Sequence, residues 1–187
     1  MMSSRIFQLV LAGIIALSGY YLLTNQEQTQ VQVEPSAELP TFVGHRVTNT
    51  NFDQDGTRNY KITSEKLEHF SEEGNTIFDN IVLYVYREGT VEEWQVVSDV
   101  GVLDKTHKLT LTGNVVATNL LPDASFDTLE TEKMIIELDS KDFNSDVQVT
   151  LTGPTFTNVG QALEGNLDKN EAVLFNHVQG VYEKAKP

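Results

Sequence analysis

Apolar and polar residues alternate along most of the chain after Thr41. Tyr60 and Ile62 alternate with Asn59, Lys61 and Thr63, and Leu109 and Leu111 with Lys108, Thr110 and Thr112. Val147, Val149 and Leu151 do the same with Gln148, Thr150 and Thr152. A period of two gives an extended strand one apolar face and one solvated face. The runs Ile81 to Tyr86 and Met134 to Leu138 are also rich in β-branched and aromatic residues, with less alternation. Turn chemistry separates these runs at Asp55-Gly56, Glu73-Gly74-Asn75, Glu88-Gly89, Asp104-Lys105, Pro122-Asp123 and Asp168-Lys169. The pattern predicts an all-β domain.

The alternation also repeats. Thr110-Leu111-Thr112-Gly113 returns as Thr150-Leu151-Thr152-Gly153. Ile62-Thr63-Ser64-Glu65 resembles Val96-Val97-Ser98-Asp99, and the same offset places Asn80-Ile81-Val82 on Asn114-Val115-Val116. Leu103-Asp104-Lys105 reappears as Leu167-Asp168-Lys169. Each unit reads as a strand pair too thin to bury its own apolar face, so several must stack around one interior. Leu67 and Phe70 have helical spacing, but the internal alignment favours strand there.

One segment breaks the pattern. The eighteen residues from Ile6 to Leu23 are almost wholly apolar, and as a helix would reach ~27 Å, near the ~30 Å hydrocarbon core of a bilayer. Arg5 precedes the run, and no lysine or arginine follows until Arg46, which places the amino end inside and the bulk of the chain outside. Ala16-Leu17-Ser18 loosely matches a cleavage site, yet apolar character continues through Leu23, which favours a retained anchor. Thr24 to Pro40 has four glutamines, three acidic residues and two prolines, a composition suited to a linker. The expected organisation is an anchor at 1–23, a linker at 24–40 and a β domain at 41–187.

Composition narrows the chemistry. The 187 residues include no cysteine, so disulfides, thiolate metal sites and cysteine nucleophiles are excluded. Beyond Arg5 there are 12 basic against 27 acidic residues, a balance that repels a phosphate backbone and excludes nucleic acid. Asn51 to Gly56 imitates the start of a calcium loop, but its twelfth position is Ile62 where a glutamate is needed; a hairpin tip explains it better. His45, His69, His107 and His177 show no metal-ligand spacing. No nucleophile elbow, phosphate loop or dinucleotide fingerprint is present. A glycosidase-like carboxylate pair is not singled out by any two acids, so the chain is read as a non-enzyme with no cofactor. Phe70, Phe78, Trp94, Phe126, Phe156, Phe175 and Tyr182 fit a closed sandwich core, the reading composition alone favours, and a groove between splayed sheets needs the same residues.

Five phrases carry a resemblance: WQVVSD (94–99), LTLTGNV (109–115), LPDASF (121–126), VTLTGPTF (149–156) and EGNLDKNEAVL (164–174). With the amino-terminal span and acidic linker, they resemble the LptC family of single-span inner-membrane proteins in lipopolysaccharide export. The resemblance implies an open, twisted β-jelly roll in the periplasm, which takes the acyl chains of lipopolysaccharide into an apolar groove. It implies receipt of lipid from the LptB/LptF/LptG transporter at the amino-terminal edge and delivery to LptA at the carboxy-terminal edge. By that resemblance Val47, Phe78, Ala172 and Tyr182 are lipid-contacting positions, although the family can carry a polar residue at the position of Val47. Gly56 and Gly153 match glycines important to assembly; Gly56 fits its turn, and Gly153 is expected to permit a bulge. Exposed edges would let the isolated domain dimerise. The alternative is a periplasmic scaffold that joins partners by edge pairing without binding lipid.

Overall fold

The computed structural model describes residues 17, 39–122 and 124–182. The expected anchor, apart from Leu17, and nearly all of the linker lie outside the described residues, as does the tail from 183 onward. Among the described residues no helix is long and apolar enough to cross a membrane.

Alternating sequence becomes strand throughout. β1 (Phe42–Phe52), β2 (Arg58–Phe70), β3 (Asn75–Arg87), β4 (Val91–Leu103), β5 (Lys108–Asn119) and β6 (Thr128–Glu137) form a consecutive antiparallel meander. The stretch around Leu67 and Phe70 is strand, as the internal alignment indicates. Beyond β6 the strands shorten: β7 (Asp142–Ser145), β8 (Val149–Gly153), β9 (Phe156–Gly160), β10 (Ala162–Asn166), β11 (Glu171–Phe175) and β12 (Gln179–Tyr182). At β6 the sheet forks. Ile135 and Ile136 pair with β7, which leads to β10 and β11; residues 128–131 pair with β8, which leads to β9 and β12.

The fork has a simple origin. β7 and β8 are one strand interrupted at 146–148, β9 and β10 one interrupted at Gln161, and β11 and β12 one interrupted at 176–178. Rejoined, the chain is a meander of nine long strands, each paired with its predecessor and each bent at the same level. The bends line up as a seam. It crosses β1 at Arg46, β3 at Asn80 and β5 at Gly113-Asn114, and it leaves the last strand at Asn176-His177. All of these residues have left-handed backbone, with φ between 48° and 82°. The ladder shifts register there between β4 and β5 and between β5 and β6.

Each bend preserves the apolar face. On β2 the buried positions run Tyr60, Ile62, Ser64, and Leu67 packs inward beyond the bend. On β3 Phe78 is followed by Ile81, Leu83 and Val85, and on β6 Thr131 is followed by Met134 and Ile136. An even step would have turned one half of each strand inside out; the odd step at the seam keeps both halves facing the core. Buried hydroxyls line the inner side of the seam at Ser64, Ser98, Thr131 and Ser145. Ser98 Oγ lies 2.9 Å from the Thr112 carbonyl and Thr131 Oγ1 2.9 Å from that of Gln148, satisfying carbonyls that the bend removes from the ladder. Outside, Asn80 Nδ2 donates to Glu65 Oε2 and Asn114 Nδ2 to Asp99 Oδ2, each at 2.8 Å. The same bond thus recurs at the offset of the sequence repeat. The registers Ile62↔Leu83 and Val96↔Ala117 recur at that offset too.

The repeated tetrapeptide behaves differently in its two copies. Both lie against β6, with Leu111 opposite Met134 and Leu151 opposite Leu129. Gly113 sits on the seam at φ 82°. Gly153 instead ends β8 and pairs with Phe156 across the two-residue turn Pro154-Thr155. The bulge expected at Gly153 is therefore absent: β8 and β9 pair without a register shift. What demands glycine there is the Phe156 ring, which a Cβ would overlap.

Candidate functional site

The seam divides the sheet into two layers whose apolar faces meet in one core. Phe78, Leu109, Leu111, Met134, Ile136, Phe143 and Leu163 come from one layer; Ile62, Leu83, Val96, Ala117, Leu129 and Val149 come from the other. Side chains fill the space between the layers. Phe78 is only 2 % exposed, paired with Leu67 on β2 and Gly101 on β4. Phe78, Trp94 and Phe126 are buried, as a sandwich core requires, whereas Phe175 and Tyr182 are exposed.

Away from the seam the two layers end in turns, and there they touch. Trp94, near the start of β4, donates its indole N–H to the Leu167 carbonyl at 2.9 Å. Its ring packs against Phe126 with centroids 5.3 Å apart. Glu93 beside it is a buried carboxylate, held by Arg87 through its Nε–H on Oε2 and its Nη2 on Oε1, and by Asn170 Nδ2 at 2.7 Å. Asn119 Nδ2 donates to Asn170 Oδ1 at 2.8 Å. Residues 167–170 form the turn between β10 and β11, in the layer opposite Glu93 and Trp94. Tyr60 lies near the same margin: burial, then the charge of Asp139 in the β6–β7 turn, raise its pKa above the ordinary phenol value. Periodicity does not reveal this rim, because Glu93 beside Trp94 reads as an outward-facing acid.

The four expected lipid-contact positions are spread along the fold. Val47 lies on β1 just past the seam, half-buried; Phe78 is in the core of β3. Ala172 on β11 packs against the core from the forked end, and Tyr182 on β12 is 77 % exposed, its ring 6.4 Å from Phe156. All four belong to strands of the two-layered roll, two from its amino-terminal half and two from its carboxy-terminal end. Gly56 occupies the β1–β2 turn at φ 78°, with open space around it. There Asp53 Oδ1 accepts the N–H groups of Asp55 and Thr57. The apparent calcium loop is a hairpin tip.

Among the described residues both ends of the meander present free edges: β1 pairs only with β2 and exposes Phe42, Val43 and Phe52; β11 pairs only with β10, and β12 only with β9. Val173, Val178, Val181 and Tyr182 are exposed at that end. Such edges are open templates for a further strand.

The histidines remain apart. His69 meets Thr76 Oγ1 at 3.0 Å and His107 meets Asp139 at 3.1 Å. Among the described residues no group of three or more histidines and acids is placed to hold a metal ion. Exposed acids serve local structure instead. Asp104 accepts from Thr106 and the Lys108 N–H, bonds that hold its carboxyl below the usual aspartate pKa.

Comparison with known proteins agrees with this architecture. The chain is 29 % identical to the lipopolysaccharide export system protein LptC of Haemophilus influenzae over 197 aligned positions, covering 95 % of this chain and 94 % of that one. It is 26 % identical to the LptC of Escherichia coli over 171 positions, covering 91 % and 88 %. In fold it is similar to the crystal structure of LptH from Pseudomonas aeruginosa, described as the LptA-homologous periplasmic component of the lipopolysaccharide transport device. That match has a TM-score of 0.52 at 10 % identity and covers 67 % of this chain and 95 % of that one. The family model for lipopolysaccharide-assembly, LptC-related proteins matches residues 9–183, and the chain belongs to this LptC family.

Proposed function

We propose that this chain binds the acyl chains of lipopolysaccharide between its two β layers and passes the lipid from the LptB/LptF/LptG transporter to LptA. Residues 1–23 anchor it in the inner membrane, 24–40 act as a linker, and 41–187 stand in the periplasm. One observation carries the reading: a two-layered apolar interior runs the length of a meander whose first and last strands each leave one edge unpaired among the described residues. An acyl chain cannot cross water freely, since each exposed methylene costs about 0.8 kcal/mol. An interior continuous from one free edge to the other hides it throughout the passage, and a strand of each partner added at either edge would extend that interior. Val47, Phe78, Ala172 and Tyr182 are the proposed contacts along the path. Gly56 and Gly153 keep the two hairpins at which edge strands are held. The free edges also offer a route to a homodimer of the isolated domain.

The test is a photoreactive residue at Phe78 or Tyr182 in living cells. Capture of lipopolysaccharide well above that at exposed Lys105 is expected; capture equal to Lys105 at both positions would exclude lipid carriage. The filled interior favours a second reading, in which the chain joins its partners by edge pairing alone. Retention of lipopolysaccharide by the purified protein would rule that out.

A further inference from the structure

The interior proposed to hold acyl chains is filled by side chains in this structure, so admission of lipid needs a place where the layers part. We propose that the Arg87–Glu93–Asn170–Asn119 cluster, with the Trp94 N–H on Leu167, is a reversible latch across the free margin of the roll. The inference rests on the lipid-binding reading and names how that same interior opens.

The location argues for a latch. Glu93 and Trp94 belong to β4, and Leu167 and Asn170 to the β10–β11 turn. These strands are not neighbours in the sheet, so the contacts join one layer to the other rather than one strand to the next. The seam on the far side is covalent, crossed by every long strand. Layers hinged along one side can part only at the other.

The chemistry argues for reversibility. A margin meant to stay shut would be sealed better by apolar side chains, because a buried ion pair repays little of its desolvation cost. Here the outer tier is polar: a carboxylate with 2 % of its side chain exposed, a guanidinium 46 % exposed and two amides. Parting these groups returns each to water, which replaces the bonds they lose. Beneath them lie Trp94, Phe126 and Leu167, all buried, and an arriving acyl chain would cover exactly the surfaces that opening exposes. A cleft of about 350 Å³, lined in part by Arg87, Asn119 and Asn170, brings solvent to the cluster.

The absence of cysteine makes the test clean. The full-length chain carrying Asn119→Cys and Asn170→Cys, with a photoreactive phenylalanine at Phe78, is expressed in lipopolysaccharide-producing cells. A short reducible thiol-bridging reagent then ties the margin shut. Capture at Phe78 should fall to the level of Lys105 when bridged and return on reduction. Equal capture in the bridged and reduced forms would overturn the latch while leaving lipid binding intact. No capture in either form, or in the parent chain, would overturn the lipid reading itself. Glu93→Gln supplies an independent arm: it keeps the shape and removes the charge, and a severalfold faster capture at Phe78 is expected. Unchanged or slower capture there would count against the latch.

Discussion

Replacing Phe78 with alanine removes a ring that is 2 % exposed from the middle of β3. A buried phenylalanine contributes roughly 150–250 Å² of buried surface, and Phe→Ala in a core costs about 3–5 kcal/mol, the spread reflecting how far the site collapses. Collapse is hindered here. The partner of Phe78 on β4 is Gly101, which has no side chain to move into the void, and the space above Gly101 is already taken by Ile81. The upper half of the range is therefore expected, about 4–5 kcal/mol, or a melting temperature lower by roughly 8–20 °C for a domain of this size. Trp94 is the only tryptophan and is buried, so its fluorescence reports urea unfolding of the full-length protein directly. Tyr182→Ala is the control: at 77 % exposure it should change stability by less than about 0.5 kcal/mol. A loss below about 1 kcal/mol for Phe78→Ala at unchanged urea dependence would refute the packed interior. Phe78 would then stand in an open groove, and no latch would be needed.

Other outcomes separate the roles of individual residues. Ser64 Oγ is buried without a hydrogen-bond partner, so Ser64→Ala should be neutral or stabilising, whereas Ser98→Ala, which strips the Val100 and Thr112 carbonyls of their donor, should cost about 1 kcal/mol in urea melts. Gly153→Ala should cost about 1–3 kcal/mol by overpacking and be rescued by Phe156→Leu. Gly56→Ala should cost about 1 kcal/mol from its left-handed backbone and gain nothing from the same second change. Asp104 has a depressed pKa, so its contribution is present above about pH 4 and lost as pH falls through the lower folded value. Asp104→Asn should flatten that part of the acid-stability curve.

Strands, turns and repeat were legible because alternation is a local property, and a residue two positions away reports which face is buried. Tyr60, Ile62, Leu109 and Leu111 face the core as their pattern predicts. The seam was hidden because its left-handed residues include an arginine, three asparagines and a histidine, none of which marks a bend as glycine does. Its trace was the faltering alternation near Ile81 and Met134, each of which follows an odd step. Phe175 and Tyr182 fit a core by residue type yet are exposed, since periodicity does not say which strand comes last. The Glu93 cluster depends on contacts between residues about 50 to 77 positions apart, beyond the reach of any window.

A fold in which every long strand lies beside the one made just before it can be lengthened without rethreading. The hairpin of β2 and β3 already recurs as β4 and β5, with the same pairing and the same Asn–carboxylate bond at its corner. Splicing in one more copy would add a rung and displace nothing upstream. Reach, in such a molecule, is counted in duplications.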